Sequence, residues 1–385
     1  MLSNDNAYKL ERTVSDLCKF SENNGKIPVI IFTDKENKPK LREHINALGG
    51  KIRYELEILG AYAAEVDAKH IGELINYDTV NYIASDTTAY ARMDCAKRSV
   101  RCDTHLTGKG VTAAVIDTGI YPHDDLIKPK NRIREFADFV NGKKKPYDDN
   151  GHGTHVAGII ASGGVVNEKY RGIAPECEIV AIKALNEKGE GKLSDILAAM
   201  NWVWQNHKLL DIKILSLSLG TENKSPGEMD PLIKAAEKQW DAGITVVAAA
   251  GNSGPKHFTI DSPASSPKLI TVGSCDTHHT PTRRDDTVSE FSSRGPSQYT
   301  RYKPDILAPG DNIRSLKNSP GGYDTKSGTS MATPIVSAAC ALLLEKEPDL
   351  TPDMIKRRIR SCAYNLGYPM YDQGCGILDI KKLLR

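Results

Sequence analysis

Short apolar segments and helix-like patterns alternate along the first part of the chain, from about residue 27 to residue 84. Their predicted order is strand, helix, strand, strand, helix, strand, which is the order of a small α+β unit. Gly49 and Gly50 follow the first helical pattern and favour its termination there. The predicted strands are 27–33, 54–59, 61–66 and 80–84, and the predicted helices are 38–48 and 68–77.

A different pattern begins at Lys109, after a polar segment, 85–105, that predicts a linker. Apolar runs alternate with helical patterns, which favours a parallel sheet covered on both faces. We therefore expect a doubly wound α/β domain from about residue 91 to residue 385. In such sheets the active site lies beyond the carboxyl ends of the strands. The apolar runs are 111–116, 179–184, 212–219, 244–250 and 269–272, and the helical patterns are 193–207, 231–242, 333–345 and 352–362.

Composition and charge narrow the classes of function. The formal net charge of +2 over 385 residues gives no electrostatic reason to expect nucleic acid or a membrane surface as a partner. The N-terminus lacks the apolar core of a secretory signal, and no stretch approaches the roughly 18 apolar residues that span a bilayer, so we expect a cytoplasmic protein. The eight cysteines include no CxxC pair, which argues against a zinc site and favours reduced thiols.

Three glycine-flanked motifs carry the candidate chemistry. Asp117 lies in VIDTG at the carboxyl end of a predicted strand, His152 lies in GHGTHVAG, and Ser330 lies in GTSMATP. A serine hydroxyl is a poor nucleophile until a base takes its proton, and histidine can take and return that proton near neutral pH. A buried carboxylate holds the histidine in the required tautomer. The three motifs together predict nucleophilic catalysis by Ser330.

These motifs, in the order Asp, His, Ser, resemble the signature segments of the subtilisin-like serine proteases, or subtilases. The resemblance runs on through residues 291–296 (FSSRGP) and 303–310 (KPDILAPG), and is strongest to intracellular alkaline proteases of the AprX type. It implies a serine endopeptidase that hydrolyses peptide bonds through an acyl-enzyme on Ser330. His152 would be the general base and then the general acid, and Asp117 would orient it.

The resemblance also assigns the binding groups around the nucleophile. The side-chain amide of Asn252, in AAGNSGP, and the backbone N–H of Ser330 would hold the oxyanion. Two backbone edges would bind an extended peptide substrate between them as an added strand. One edge is Ser218, Leu219 and Gly220, and the facing edge includes Gly189 and Gly191.

Residues 1–90 resemble a subtilase pro-domain, and their predicted element order is ferredoxin-like. The resemblance implies a zymogen, in which this pro-domain assists folding and inhibits the active site until self-processing removes it. Residues 91–385 would then be the peptidase domain. The junction, 87–93 (TTAYARM), offers two cut sites. A cut after Tyr90 fits an apolar primary pocket, and a cut after Arg92 fits an acidic one.

Asp261 has two interpretations that the sequence leaves open. The resemblance places it where a glycine often lies at the base of the primary specificity pocket, and a carboxylate there would favour Arg or Lys at the substrate's P1 position. Alternatively, the Asp261 side chain caps the turn 261–263, and the pocket then takes an aromatic or large apolar residue. Of the two, the sequence favours the turn cap.

No organic cofactor is implied, and the sequence leaves the metal content open. Many subtilases hold structural calcium, and Asp125 matches one ligand position. The loop 161–170 does not carry the ligand pattern, so that site is expected to be absent or altered. The pair Asp148-Asp149 is a weaker candidate for a cation. His155 is expected to be a packed, hydrogen-bonded histidine rather than a metal ligand, because the HExxH pattern is absent.

Two other functions stay open at this point. A catalytically idle subtilase would act as a binding or regulatory module, and self-processing would count against it. An esterase or lipase could use the same three residue types. Such enzymes usually place the serine in GxSxG and follow the order Ser, Asp, His, whereas this chain has GTSMA and the order Asp, His, Ser.

Overall fold

The structure is a computed structural model, and the chain in it forms two compact units, Met1–Ala89 and Tyr90–Arg385. Each unit has its own cluster of buried apolar side chains. No helix in the described ranges is long and apolar enough to cross a lipid bilayer. The described residues are 9–10, 14, 18, 25–86, 92–221, 230–280, 282–297, 299–300 and 302–385.

The first unit contains a four-stranded antiparallel sheet and two helices in its described part. They are β1 (Lys26–Phe32), α1 (Lys38–Ala47), β2 (Lys51–Leu56), β3 (Ala61–Asp67), α2 (Ala68–Leu74) and β4 (Tyr82–Ser85). The strand order in the sheet is β2-β3-β1-β4, with every neighbouring pair antiparallel. Helix α1 ends where Gly49 adopts a φ of +70°, and the N–H of Gly50 then bonds back to Ile45 O at 2.9 Å.

The second unit is built on one large sheet. Its strands are β5 (Thr112–Asp117), β6 (Ile133–Asp138), β7 (Glu178–Lys183), β8 (Ile212–Leu217), β9 (Thr245–Ala249), β10 (Ile270–Asp276), β11 (Thr287–Val288) and β12 (Ile306–Pro309). The strand order is β11-β10-β9-β8-β5-β7-β6, and β12 also pairs with β10. All of these pairs are parallel except β10 with β11, so the expected parallel sheet is a mixed one.

Helices cover both faces of this sheet, as expected for an α/β fold. They are α3 (Arg92–Ser99), α4 (Asp124–Ile127), α5 (His152–Ala161), α6 (Leu193–Asn206), α7 (Pro231–Asp241), α8 (Thr329–Lys346), α9 (Pro352–Ser361), α10 (Met370–Gln373) and α11 (Ile380–Leu383). Helix α8 is almost wholly buried and packs against α5 and against five strands, β5, β8, β9, β10 and β12. A hairpin, β13 (Ile313–Leu316) with β14 (Tyr323–Lys326), packs on α5.

The strand order decides where chemistry can occur. All six residues of β5 are buried, as expected for a central strand with both faces covered. The chain runs from β5 to β6 and β7 on one side, and then to β8 and β9 on the other. The connections therefore diverge at the carboxyl end of β5, which is where a doubly wound sheet opens a crevice.

Candidate active site

Asp117 and His152 form a direct pair at the carboxyl end of β5. Asp117 is the last residue of β5 and is fully buried, and His152 is the first residue of α5. His152 Nδ1 lies 2.7 Å from Oδ1 and 2.9 Å from Oδ2 of Asp117. Because a carboxylate can only accept, this contact selects the Nδ1–H tautomer. Nε2 is then the nitrogen that can act as a base.

The N-terminus of α5 is held by the carboxylate of Asp148. Its Oδ1 accepts from the N–H of Gly151 at 2.7 Å, and its Oδ2 accepts from the N–H of Thr154 at 2.9 Å and the hydroxyl of Thr154 at 2.6 Å. Thr118 Oγ1, next to Asp117, also donates to Asp148 at 2.9 Å. One carboxylate therefore joins the strand that carries the aspartate to the helix that carries the histidine.

The environment of His152 favours its charged form. Burial by itself lowers the pKa of the imidazole, but the charge and the hydrogen bond of Asp117 together raise the pKa by more than burial lowers it. The net result is a pKa of His152 above its ordinary value. A base with this pKa becomes neutral, and so able to accept a proton, only as the pH rises past the ordinary histidine range.

Ser330 lies in the first turn of α8, next to the carboxyl end of β8. Its Oγ donates to Ser218 O at 3.1 Å, and Ser218 Oγ donates to Ser330 O at 3.0 Å. Gly328 precedes the helix with a φ of +152°, which strongly favours glycine. Helices α5 and α8 pack against each other, and each begins at or next to its catalytic candidate.

Asn252 lies beside the same helix terminus. Its side-chain oxygen accepts from the N–H of Thr329 at 2.9 Å and from the hydroxyl of Thr329 at 3.1 Å. Both contacts use Oδ1, so Nδ2 is the end of the amide that can donate to a ligand. The first-turn N–H of Ser330 has no partner within its own helix, as for any helix start. The two donors predicted for an oxyanion therefore lie at one helix terminus.

The two predicted substrate edges lie on either side of β5. Ser218, Leu219 and Gly220 follow β8, and Gly189 and Gly191 follow β7; the strand order is β8-β5-β7. The loop after β7 is a tight turn in which the N–H of Gly189 bonds to Asn186 O at 3.0 Å, at a φ of +80°. Their role in substrate binding stays a prediction.

Asp261 lies between the segments that follow β8 and β9. Its N–H bonds to Ala250 O at 3.0 Å, and a Cβ built on Gly251 would overlap its carboxylate. The residue is half-buried. Its role, at the base of the primary specificity pocket or as the cap of the turn 261–263, stays a prediction.

The donors around Asp125 do not fit a calcium ion. Its Oδ1 accepts from the N–H of Val166 at 2.7 Å, and its Oδ2 accepts from the hydroxyls of Tyr323 at 2.6 Å and Ser162 at 3.3 Å. Calcium needs six to eight oxygen ligands, and here hydrogen-bond donors occupy the carboxylate instead. Within the described ranges, no group of three or more His, Cys, Asp or Glu side chains could hold a metal ion.

His155 is packed in the core, as its motif predicted. It is fully buried, and its Nε2 lies 3.1 Å from Ile313 O in the hairpin. Burial lowers the pKa of His155 to about 3, so the ring is neutral at physiological pH. Nε2–H therefore donates to the carbonyl, and His155 fixes the hairpin to α5.

Sequence reasoning missed Lys183, which is fully buried at the end of β7. Its Nζ donates to Thr118 O at 2.7 Å, Asp149 Oδ1 at 2.6 Å and Leu185 O at 2.9 Å. It therefore connects the loop after Asp117, the loop before His152 and the substrate edge after β7. The available signal was a single lysine at the end of an apolar strand. A lysine in that place is expected to be buried, and a buried ammonium needs several acceptors around it.

Comparison with known proteins supports this fold. The model of the subtilase family (Peptidase_S8) matches residues 108–377. The chain therefore belongs to the subtilase family, as the motifs predicted. It is 50% identical to the serine protease AprX of Bacillus subtilis (strain 168) over 286 residues, which is 69% of this chain and 64% of AprX. The match thus spans less than two thirds of the length of AprX.

Other subtilases match more of the chain at lower identity. Subtilisin E of Bacillus subtilis (strain 168) is 34% identical over 355 residues, covering 89% of this chain and 85% of its own. Among solved structures, sphericase superposes with a TM-score of 0.62 at 29% identity, over 76% of this chain and 99% of that one. A cold-adapted subtilisin-like serine proteinase gives a TM-score of 0.59 at 32% identity, over 72% and 91%. The second unit therefore has the subtilisin-like α/β fold.

Proposed function

We propose that this chain is a serine endopeptidase that hydrolyses peptide bonds through an acyl-enzyme on Ser330. The observation that carries the proposal is the 2.7 Å contact between His152 Nδ1 and the buried carboxylate of Asp117. It holds a histidine in the tautomer that a serine nucleophile needs, at the start of a helix that packs against the helix of Ser330. Family membership supports the same reaction.

The proposed reaction proceeds in two halves. Ser330 gives up its hydrogen bond to Ser218 O, transfers its proton to His152 Nε2 and attacks the substrate carbonyl. Asn252 Nδ2 and the N–H of Ser330 stabilise the oxyanion, and the loss of one such donor lowers kcat by about 10²–10³. His152 then protonates the leaving amine. Water, activated by the same histidine, hydrolyses the ester, so Ser330 regains its proton.

We further propose that residues 1–90 are a pro-domain that assists folding, inhibits the enzyme and is removed by self-processing. Support comes from the division of the chain into two compact units at Ala89 and Tyr90, and from the separate apolar core of the first unit. A unit with its own core can be detached without exposing the core of the other. Of the two candidate cut sites, Tyr90 lies outside the described residues and Arg92 begins α3.

The test combines intact mass with peptide hydrolysis for the wild type and for Ser330→Ala. We expect the wild type to lose about 10 kDa from its N-terminus, the mass of one small domain. Ser330→Ala should stay whole and should not cleave an unstructured protein such as denatured casein. If the wild type also fails to cleave casein after its first unit has been removed by limited proteolysis, the chain is not an active peptidase. Cleavage of casein without self-processing would overturn only the zymogen proposal.

A further inference from the structure

A cavity of about 710 Å³ lies at the edge of the large sheet opposite the candidate active site. Its lining includes Gly110, just before β5, Arg132, just before β6, and Glu176, just before β7. These three strands are parallel neighbours, so their amino ends lie at the same edge. Asp117 ends β5 at the other edge. The cavity is therefore separate from the site that Asp117 belongs to.

The lining of this cavity is strongly cationic. Five of its side chains are basic and two are acidic, which leaves an excess of three positive charges. The formal net charge of the whole chain is only +2. Cations gathered in a concave surface raise the local concentration of anions. The basic residues are Lys109, Lys130, Arg132, Arg134 and Arg171, and the acidic residues are Glu176 and Glu178.

One of the two carboxylates already serves two of the cations. Glu178 Oε1 accepts from Lys130 Nζ at 3.1 Å, and its Oε2 accepts from Arg134 Nη1 at 2.8 Å. Among the described residues, no carboxylate forms an ion pair with Arg132 or Lys109. These two positive charges are therefore available to an anion from outside the chain.

Arg132 is the buried cation of the cavity, with only 5% of the residue exposed. Its Nη2 donates to the backbone oxygens of Asp125 and Lys128, and its Nε has no hydrogen-bond partner within the described ranges. Burial lowers the pKa of Arg132, and the charges of Asp125 and Glu176 only partly oppose this. A buried guanidinium without a paired carboxylate is costly. An anion in the cavity would supply the missing charge.

The chemistry of the lining indicates the kind of anion. Three of the five cations are arginines, whose planar guanidinium binds the oxygens of phosphates and carboxylates in pairs. A phosphate group presents three acceptor oxygens where a carboxylate presents two, so it suits a lining with this many donors. Among the described residues, the lining contains no aromatic ring that could stack on a nucleotide base. An excess of three charges matches linked phosphates better than a monovalent anion.

We propose that this cavity binds a small anion with two or more linked phosphate groups, and that Arg132 and Lys109 are its main contacts. The proposal does not depend on the peptidase function, because the cavity lies at the opposite edge of the sheet. A bound anion would join the segments that lead into β5, β6 and β7. It should therefore stabilise the folded chain in proportion to its affinity.

The test is titration calorimetry of triphosphate and pyrophosphate into the full-length Ser330→Ala chain, at a constant ionic strength of about 0.15 M. We expect one site, with sulfate and citrate binding at least about tenfold more weakly. In Arg132→Gln the Kd for triphosphate should rise about tenfold to a hundredfold, as for the loss of a charge-assisted hydrogen bond. Lys109 is exposed and unpaired, so Lys109→Gln should fold normally and raise the Kd about twofold to fivefold.

Arg357→Gln is the matched control, because it removes an exposed positive charge from α9, outside this cavity. Its Kd for triphosphate should equal that of the parent. A rise equal to that in Lys109→Gln would mean that the anion responds to the overall charge of the chain, and would overturn the site. Urea unfolding checks that Arg132→Gln has folded, and Lys109→Gln tests the proposal independently if it has not.

The choice of ligands decides the chemical class. Failure of the parent chain to bind triphosphate, or equal affinity for triphosphate, sulfate and citrate, overturns the proposal. ADP should bind no more tightly than pyrophosphate, because no ring in the described lining can stack on its base. A much tighter complex with ADP would place recognition in the base and would overturn the assignment to phosphate groups alone.

Discussion

Ser218 and Ser330 exchange two hydrogen bonds, one from each hydroxyl to the other residue's backbone oxygen, at 3.0 Å and 3.1 Å. In a regular helix, Ser330 O would accept the N–H four residues further on. That residue is Pro334, which has no N–H. Ser218 Oγ supplies the missing donor, so α8 can start at the candidate nucleophile without leaving that carbonyl unpaired.

This relationship predicts that Ser218 and Pro334 are energetically coupled. Ser218→Ala should lower the free energy of unfolding by about 1 kcal/mol, because Ser330 O loses its donor. Pro334→Ala returns an N–H to the helix, so Ser218→Ala should have little further effect in that background. Urea unfolding of the four proteins measures the coupling, with Ser330→Ala present throughout to prevent self-digestion. Additive effects would show that Ser218 does not replace the proline's missing donor.

The pH dependence of activity should report the Asp117–His152 pair. Because Asp117 raises the pKa of His152, the acid limb of kcat/KM should lie above pH 6.5, the ordinary value for histidine. Asp117→Asn removes the negative charge that raises the pKa of His152. The burial of His152 remains, and burial lowers that pKa. The limb should then move to lower pH, and kcat should fall about 10⁴-fold. Steady-state kinetics from pH 5 to pH 9 measures both effects.

Lys326 offers a control of opposite sign. The positive charge of Lys326 lowers the pKa of His152. Lys326→Met should therefore move the acid limb of kcat/KM to higher pH, with little change in the maximum value of kcat/KM. A limb that stays in place in both variants would mean that another group controls the pH profile.

The parts of the site that the sequence predicted are those with short local signals. Asp117, His152, Asn252 and Ser330 each sit in a glycine-flanked motif, and the strand order brings their segments to one edge of the sheet. The role of the Ser218 hydroxyl as a donor depends on Ser330 O, which lies 112 residues away in the sequence. Such side-chain-to-backbone bonds have no period that sequence reasoning can detect.

The same limit applies to the fold. The buried runs in β5, β8 and β9 were predicted, because strands covered on both faces are continuously apolar. β6 was missed because it is an edge strand with polar residues exposed, in the sequence IREFAD. The apolar pattern of helix α8 begins at residue 333, whereas the helix itself starts at Thr329, and Ser218 supplies the donor that Pro334 lacks.

Lys183 should contribute to both stability and activity. Lys183→Met leaves the buried carbonyls of Thr118 and Leu185 without their donor, and two such unpaired acceptors should lower the free energy of unfolding by about 2 kcal/mol or more. Asp149→Asn keeps an acceptor for Lys183 at a side chain that is one-third exposed, so its effect should be about 1 kcal/mol or less. Urea unfolding in the Ser330→Ala background compares them. Equal losses would contradict a central role for the lysine.

Asp286 predicts a second pH dependence, of stability rather than activity. It is buried, its Oδ2 accepts from Ser99 Oγ at 2.6 Å, and its Oδ1 has no hydrogen-bond partner among the described residues. Burial raises the pKa of Asp286 to about 6, with Asp285 adding to the effect and Arg283 opposing it. Between about pH 4 and pH 6 the folded state therefore holds a proton that the unfolded chain has lost. The free energy of unfolding should fall as the pH rises through this window, and should level off above it.

Asp286→Asn should remove this dependence, because an amide imitates the protonated carboxyl. At pH 7.5 the variant should be more stable than its parent by about 1–2 kcal/mol, and at pH 4 the two should be nearly equal. Urea unfolding at both pH values in the Ser330→Ala background gives the comparison. Asp285→Asn, at an exposed neighbouring position, is the matched control and should change the pH dependence far less. If Asp286→Asn is destabilised equally at both pH values, the carboxyl is ionised throughout and its hydrogen bond with Ser99 is what the fold requires.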